Sequence, residues 1–536
     1  MARRTTHTTA GRTAAVLAAV ALALTGCAVG STPTSTDEPA GGGTEVLAVA
    51  ASAAVTTWDP IASFSTEALY MGNVYETLLH RNPVGSEEDY TNLLAESYEA
   101  SDDGLTWTFT LREGVTFHDG EPLTADAVVQ SIEAAKERGG ASFIWAPVER
   151  IEAADEHTVV FTLAYAAPLD LIVASTYGAW IVSPAALDAV AADETYFEAG
   201  VEAGTGPYAL REYAPGERVV LEAYEGYWNA EAAPHYDIVD VSITPDAVTA
   251  QQMLTSGEVQ FATTLPLENV DQVADQLGAE VRETPSPFSF LAYFNTQREP
   301  LNDPLVRQAL SYAIPYEDII DVGAHGYGTQ SRGPVPQGIF PWSDEVEQYT
   351  YDLDRARELL AEAGHEDGFS LTLTYASENA AEARFVPLIA DSFAQIGVDL
   401  EVRGELFNQQ WEAAKADPAT AQDIFVVYYW PTYSDAGSDN LYSLFHSSEE
   451  PFFNLSYWEN PEYDALIDEA GTLTGSDRDA AQARYVEAMQ LLVDQAPGAF
   501  LYDAQAVTVV PADLQVAQFN ENYPFTTFFA NIRPSE

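Results

Sequence analysis

The apolar run that opens this chain, Ala14 to Leu24, is only eleven residues long. A helix of that length spans about 16 Å, roughly half the hydrocarbon thickness of a bilayer, and no later stretch is long enough to replace it as a membrane span. Everything downstream must therefore fold in water around its own apolar cores. The chain has one cysteine, so no internal disulfide can help. With 536 residues, 47% hydrophobic, 20% charged and 11% aromatic, the composition is that of a soluble body. At roughly 150 residues per domain it divides into about three or four domains. Lys plus Arg number 22 against 83 Asp plus Glu, a formal net charge of −61. That balance repels phosphate backbones and excludes nucleic acid as a partner.

Arg3, Arg4 and Arg12 precede the apolar run with no acid among them, the arrangement of a secretory signal. Leu24, Thr25, Gly26 and Cys27 follow directly and resemble a bacterial lipobox, in which the thiol accepts a diacylglyceryl group. The alternative is a plain secretory signal with an incidental cysteine. We expect residues 1–26 to be a lipoprotein signal peptide, cleaved before Cys27, with the lipid holding the protein on the extracytoplasmic face of the cell membrane. Residues 27–44 are Gly-, Ser-, Thr-, Pro- and Ala-rich and predict a flexible tether.

In the body, Trp107, Phe109 and Leu111 alternate with Thr106, Thr108 and Thr110, and Asp103-Gly104 supplies a turn before them. This predicts a β-hairpin with Glu96–Ala100, with one face buried. Turns at Glu113-Gly114 and Asp119-Gly120 predict its extension into a meander, followed by a helix from Thr124 to about Lys136. Further helices are expected after Asp303-Pro304, over Leu353–Ala363, over Phe385–Ile396 and over Arg478–Val493. Strands are expected at Leu371–Tyr375, Val398–Val402 and Ile424–Tyr429. Helix and strand alternate, so the C-terminal half reads as α/β.

Catalytic chemistry finds little support. His118 and Asp119 are adjacent, but an Asp-Gly turn after a strand explains them. The eight histidines show no metal-ligand spacing, and no serine elbow, phosphate loop or dinucleotide fingerprint occurs. No catalytic residue, metal or cofactor is expected. The segment Trp430–Asn440 draws more attention, because it follows the apolar run Ile424–Tyr429, and open α/β sheets place ligands at the C-terminal ends of their strands. Within it Asp435, then Asp439, could hold an amine through a charge-assisted hydrogen bond, with Trp430 and Tyr433 offering cation–π attraction and Asn440 a polar contact. The competing reading is a solvated loop acid beside core aromatics.

Residues Leu94–Tyr98, Asp102–Leu105, Phe109, Leu111, Arg112, Gly114, Val115, Phe117–Gly120 and Leu123–Asp126 closely resemble the signature of family 5 solute-binding proteins, receptors of peptide and nickel ABC importers. Trp58-Asp59-Pro60, Tyr75–Leu78, Gly204–Tyr208, Tyr227-Trp228, Asn295, Val306–Ala309 and Asp494, Ala496, Pro497 extend the resemblance along the chain. It implies an α/β, two-lobed type II periplasmic-binding-protein fold of the Venus-flytrap kind, with a third, inserted α+β domain. Lobe I would comprise residues 45–80, 200–290 and 500–536, the inserted domain 81–199, and lobe II 295–498. The chain would cross between lobes near Phe290–Asn295 and Phe500–Asp503.

The resemblance also implies a monomeric, non-enzymatic receptor that captures an oligopeptide by hinge closure and delivers it to ABC permease subunits. An oligosaccharide or chelated nickel as cargo, and a sensory co-receptor role, stand as alternatives. In peptide-binding relatives a loop aspartate pairs with the ligand's amino terminus. The dipeptide-binding pattern puts that acid three residues after the Trp, where this chain has Tyr433. It also has an arginine where Ala376–Asn379 has none, Arg384 lying within the helix instead. Trp58, Phe64 and Phe288 are further ligand candidates at the expected cleft edges.

Overall fold

The computed structural model describes residues 44–138, 140–199, 203–431, 435, 437–448 and 453–535. The signal segment, Cys27, nearly all of the tether and Tyr433 lie outside the described residues. None of the described helices is long and apolar enough to cross a membrane.

Three sheets organise the chain. The first has five strands in the order Phe261–Ala262, Val46–Ala51, Ile238–Ile243, Arg218–Ala223 and Tyr208–Ala214. Val46–Ala51 runs parallel to Ile238–Ile243, so the opening strand is built into a sheet completed almost two hundred residues later.

A four-stranded sheet contains the expected hairpin, Ala95–Ala100 against Thr106–Leu111, with Gly104 at φ +67° in its turn. Trp107, Phe109 and Leu111 are buried while Thr106 and Thr110 are exposed, as a period of two requires. The expected meander does not form. Thr106–Leu111 takes Thr158–Leu163 as its other neighbour, and the turns at Gly114 and Gly120 leave only a Thr116–Pro122 bridge. The later strand Thr158–Leu163 wins because Val159, Phe161 and Leu163 add a buried row, which the short segment after Leu111 cannot supply. Ala125–Arg138 is helical, with Thr124 Oγ1 accepting from Ala127 N at 3.3 Å. The apolar residues of the four-stranded sheet and of one face of the first sheet merge into one continuous core.

The third sheet has six strands in the order Gly328–Gln330, Gly498–Val510, Glu280–Phe294, Ile424–Tyr429, Phe369–Ala376 and Val398–Glu405. Phe290, Ala292 and Phe294 enter one core and Leu291 and Tyr293 the other, so the sheet is covered on both faces. That explains the unbroken apolar run of Ile424–Tyr429, the inner strand between Glu280–Phe294 and Phe369–Ala376. Helices Pro304–Tyr312, Leu353–Glu362 and Arg478–Gln495 are N-capped by Asp303, Asp352 and Asp477. The helix expected from Phe385 is Ala380–Gln395: Asn379 Oδ1 accepts from Ala381 N and Glu382 N and starts it five residues earlier.

The two long strands Glu280–Phe294 and Gly498–Val510 form an antiparallel ribbon whose register shifts between Pro285 and Ser289 and again between Phe290 and Leu291. Before the first shift, Val281, Val507 and Val509 pack with Ala50, Leu254 and Val259 of the first sheet's layer. Beyond it the ribbon is part of the six-stranded sheet. One ribbon thus joins the core of the first sheet's layer to the two cores of the six-stranded sheet, with its first irregularity between them.

Candidate functional site

The inner strand Ile424–Tyr429 ends beside the ribbon's irregularity. Tyr428 and Trp430, two residues apart, emerge on one side of it. Phe288 stacks on Tyr428 with ring centres 5.2 Å apart and planes at 19°. Trp430 meets Phe288 at 5.9 Å and Tyr428 at 5.5 Å. Phe525, from the C-terminal segment, closes the group edge-on at 5.4 Å from Phe288 and 5.6 Å from Trp430. All four rings are half-buried, so they combine packed aromatic faces with remaining accessible surface.

Behind this cluster the ribbon carries a buried carboxylate. Asp503 accepts from Ser289 Oγ at 3.0 Å, Ser331 Oγ at 2.6 Å and Gln337 N at 3.0 Å. Burial pushes its carboxyl up to about 6, and the three donors work against that rise. Ser286 Oγ donates to Ala504 O at 2.6 Å. The irregular stretch is therefore pinned by side chains where the regular ladder is interrupted.

The acidic loop follows on the other side. Asp435 is wholly buried; its Oδ1 accepts from Gly437 N at 2.9 Å, and its charge acts on Arg478. Asp439 is also buried and accepts from Tyr429 Oη at 2.8 Å. Asn440 Nδ2 donates to Pro334 O at 2.7 Å, while its buried Oδ1 has no partner among the described residues. Neither acid is a solvated loop residue. A side chain at Gly437 would collide with the Tyr485 ring, at 2.5 Å, so the loop lies directly on the helix Arg478–Gln495.

The structure brings Trp430 and Phe288 together in the aromatic cluster, places Asp435, Asp439 and Asn440 in the buried loop that follows on the other side of the strand, and leaves two candidates elsewhere. Trp58 is buried in the large core against Tyr70 and Tyr213. Phe64 is 45% exposed and packs on Phe143 and Tyr177. Arg384 turns its guanidinium to Gly323 O at 2.9 Å. Sequence reasoning missed Phe525, Tyr428, Asp503 and Arg478. Only Tyr428 left a signal, its two-residue spacing from Trp430; the others meet the site through long-range contacts that no local pattern announces.

Among the described residues no three His, Cys, Asp or Glu side chains gather as a metal ion would require. His118 holds Gly206 O at 2.9 Å, and Asp119 accepts from Glu121 N and Ser183 Oγ, which gives both a structural role in the turn. Gly204–Tyr208 packs against Val74, with Gly206 N donating to Val74 O at 2.9 Å. Two surface hollows, beside Glu299, Asp303 and His365 and beside Glu96, Arg112 and Trp228, share no residue with the aromatic cluster.

Comparison with known proteins bears on this geometry. A glutathione-binding protein of Pectobacterium atrosepticum is 30% identical over 427 residues, 78% of this chain and 81% of that protein. Among solved structures, the periplasmic binding protein DppA of Helicobacter pylori in complex with the peptide STSA superposes with a TM-score of 0.74 at 25% identity, covering 92% of this chain and 98% of that one. The ABC transporter substrate-binding protein CtaP of Listeria monocytogenes superposes with a TM-score of 0.82 at 24% identity, covering 92% and 100%. The fold is the α/β type II periplasmic-binding-protein fold expected from the motifs. The family model described as bacterial extracellular solute-binding proteins, family 5, middle region, matches residues 89–452. The chain belongs to the family 5 bacterial extracellular solute-binding proteins.

Proposed function

We propose that this protein is a lipid-anchored, extracytoplasmic receptor that captures oligopeptides between two lobes and delivers them to the permease of an ABC importer. Cys27 would carry the lipid, and residues 27–44 would hold a monomeric body off the membrane. The lobes would be 45–80 with 200–290 and 500–536, and 295–498, with 81–199 inserted. The ribbon of Glu280–Phe294 and Gly498–Val510 would be the hinge, because its first register shift falls between the core of the first sheet's layer and those of the six-stranded sheet.

The observation that carries this reading is the cluster of half-buried Phe288, Tyr428, Trp430 and Phe525 rings at the C-terminal end of an inner strand, from which the acidic loop directly follows in the chain. Flat aromatic faces take up peptide side chains or the peptide backbone with little specificity. The negative field of Asp435 and Asp439 favours the protonated amino terminus. Relatives named for glutathione binding and seen with a bound tetrapeptide are consistent with an amine-bearing peptide cargo.

Isothermal titration of the protein with peptide pools and sugar pools tests the reading. Binding of peptides, weakened at least tenfold by Asp435→Asn and by N-acetylation of the ligand, is expected from the strength of charged hydrogen bonds, roughly 1.5–3 kcal/mol. Binding of sugars alone would overturn the cargo. Metabolic labelling with a radioactive fatty acid, lost in Cys27→Ser, tests the anchor.

A further inference from the structure

The segment around Asp170 and the start of the helix Arg478–Gln495 lie 308 residues apart in sequence and meet at an ion pair. Arg478 Nη2 straddles the Asp170 carboxylate at 2.9 and 3.0 Å. Asp170 is buried, its side chain 8% exposed, and that of Arg478 is 34% exposed. The guanidinium also lies 5.9 Å from the Phe340 ring. Burial disfavours the Arg478 charge, but Asp170, Tyr90 and Asp435 outweigh it and hold its pKa above the ordinary value. The contact that holds this cation is thus the Asp170 carboxylate of the segment 166–170.

The backbones meet as closely as the charges. A Cβ on Gly475 would stand 2.5 Å from Ala167 O, and one on Gly104 would stand 3.2 Å from Gly475 O. No side chain fits between these segments, so the backbones touch directly beside the ion pair, whose carboxylate is buried and whose arginine side chain keeps about a third of its surface exposed. Removing Arg478 leaves the buried Asp170 carboxylate without its partner, which makes the pair sensitive to opening.

We propose that Arg478 is a latch: it holds segment 166–170 against the helix Arg478–Gln495 when the protein is closed and, because the loop at Gly437 packs on Tyr485 of that same helix, ties that closure to the candidate ligand loop. The proposal rests on the hinge reading above, since residues 166–170 and 478 fall in different proposed domains. Arg478 is a positioning residue here. The latch favours the closed form before ligand arrives, and any movement of the loop at Gly437 is passed to the helix through Tyr485.

Small-angle scattering of the peptide-free protein, with hydrogen exchange of segment 163–171, tests this. Arg478→Gln is expected to enlarge the radius of gyration and to speed exchange in that segment roughly tenfold, within the usual range of coupling energies. Arg478→Lys, which keeps the charge, is expected to stay near the parent protein. Should Arg478→Gln fail to fold, Asp170→Asn carries the same expectation. Variants that fold with unchanged radius and exchange overturn the latch. Failure of the hinge reading would show separately, as a parent protein that does not contract when the tetrapeptide Ser-Thr-Ser-Ala binds.

Discussion

Glu76 and Trp228 stand 152 residues apart in the chain and 2.8 Å apart in the fold, the indole N–H donating to the carboxylate. The same carboxylate accepts from Thr205 Oγ1 at 2.8 Å and Tyr227 Oη at 3.0 Å. Three separate sequence motifs thus converge on one buried acid. Glu76→Ala would leave three donors without their acceptor, so we expect a loss of about 3 kcal/mol or more, because each buried unsatisfied donor costs about 1–3 kcal/mol. Urea unfolding checks it: a midpoint shift small enough to correspond to less than about 1 kcal/mol would show that water replaces the carboxylate.

Burial pushes Glu76 up to about 7, Asp503 up to about 6 and Glu382 up to about 8. Each binds its proton more tightly folded than unfolded. Their contribution to stability is complete below the unfolded carboxyl range, about 4, and is lost as pH rises through the folded values. Asp246 and Asp193, whose carboxyls are lowered by hydrogen bonds from Thr249 and Thr195, act in the opposite sense below about 4. The melting temperature is therefore expected to peak near pH 4–5 and to fall toward pH 8. Growing repulsion in a chain of net charge −61 adds to that fall. In calorimetry across that range, Glu382→Gln should flatten the slope; a melting point that rises steadily to pH 8 would contradict the assignment.

A Cβ at Gly204 would lie 1.9 Å from Val74 O and one at Gly206 would lie 2.7 Å from Asn73 O. Backbone cannot yield as a flexible side chain can. Gly204→Ala should cost at least about 3 kcal/mol, the upper end of ordinary overpacking, and lower the soluble yield. By contrast, Gly216→Ala meets no atom within 4 Å, so its penalty comes from its φ of +72° alone and should be about 1 kcal/mol. Comparing the two melting curves separates crowding from backbone strain.

Trp430→Ala and Phe525→Ala are expected to weaken binding of a peptide selected from the titrated pools by roughly ten- to a hundredfold, as loss of an aromatic contact does. Phe64→Ala should leave that affinity unchanged. Trp58→Ala should act on stability instead, at about 3–5 kcal/mol, since its ring fills a core. Titration calorimetry beside thermal melting distinguishes these outcomes, and equal affinities for Phe64→Ala and Trp430→Ala would displace the ligand from the cluster.

Local chemistry made much of the fold legible. Asp-Gly before an alternating Trp107, Phe109 and Leu111 yields the hairpin, and Asp303 before Pro304 starts a helix, because these effects act within a few residues. Partner choice was less legible. Thr106–Leu111 pairs with Thr158–Leu163 and not with the nearer segment, a decision made by which apolar row completes the core. The candidate site shows the same division: Trp430 and Asp435 stand out at a strand end, whereas Phe525 sits in a segment with no distinguishing pattern and the helix expected from Arg478 gives no sign that its first residue meets Asp170.

The amino-acid order alone determined the family, through motifs whose residue types and spacing recur along the chain, and it determined the alternation of helix and strand, which local hydrogen bonding and side-chain period dictate. Only the tertiary structure decided which distant groups share a space: Phe288 with Phe525, Ser331 with Asp503, Asp170 with Arg478. The reason is physical. Burial and charge pairing depend on what packs alongside, and for these residues that neighbour comes from a part of the chain that local sequence cannot sense.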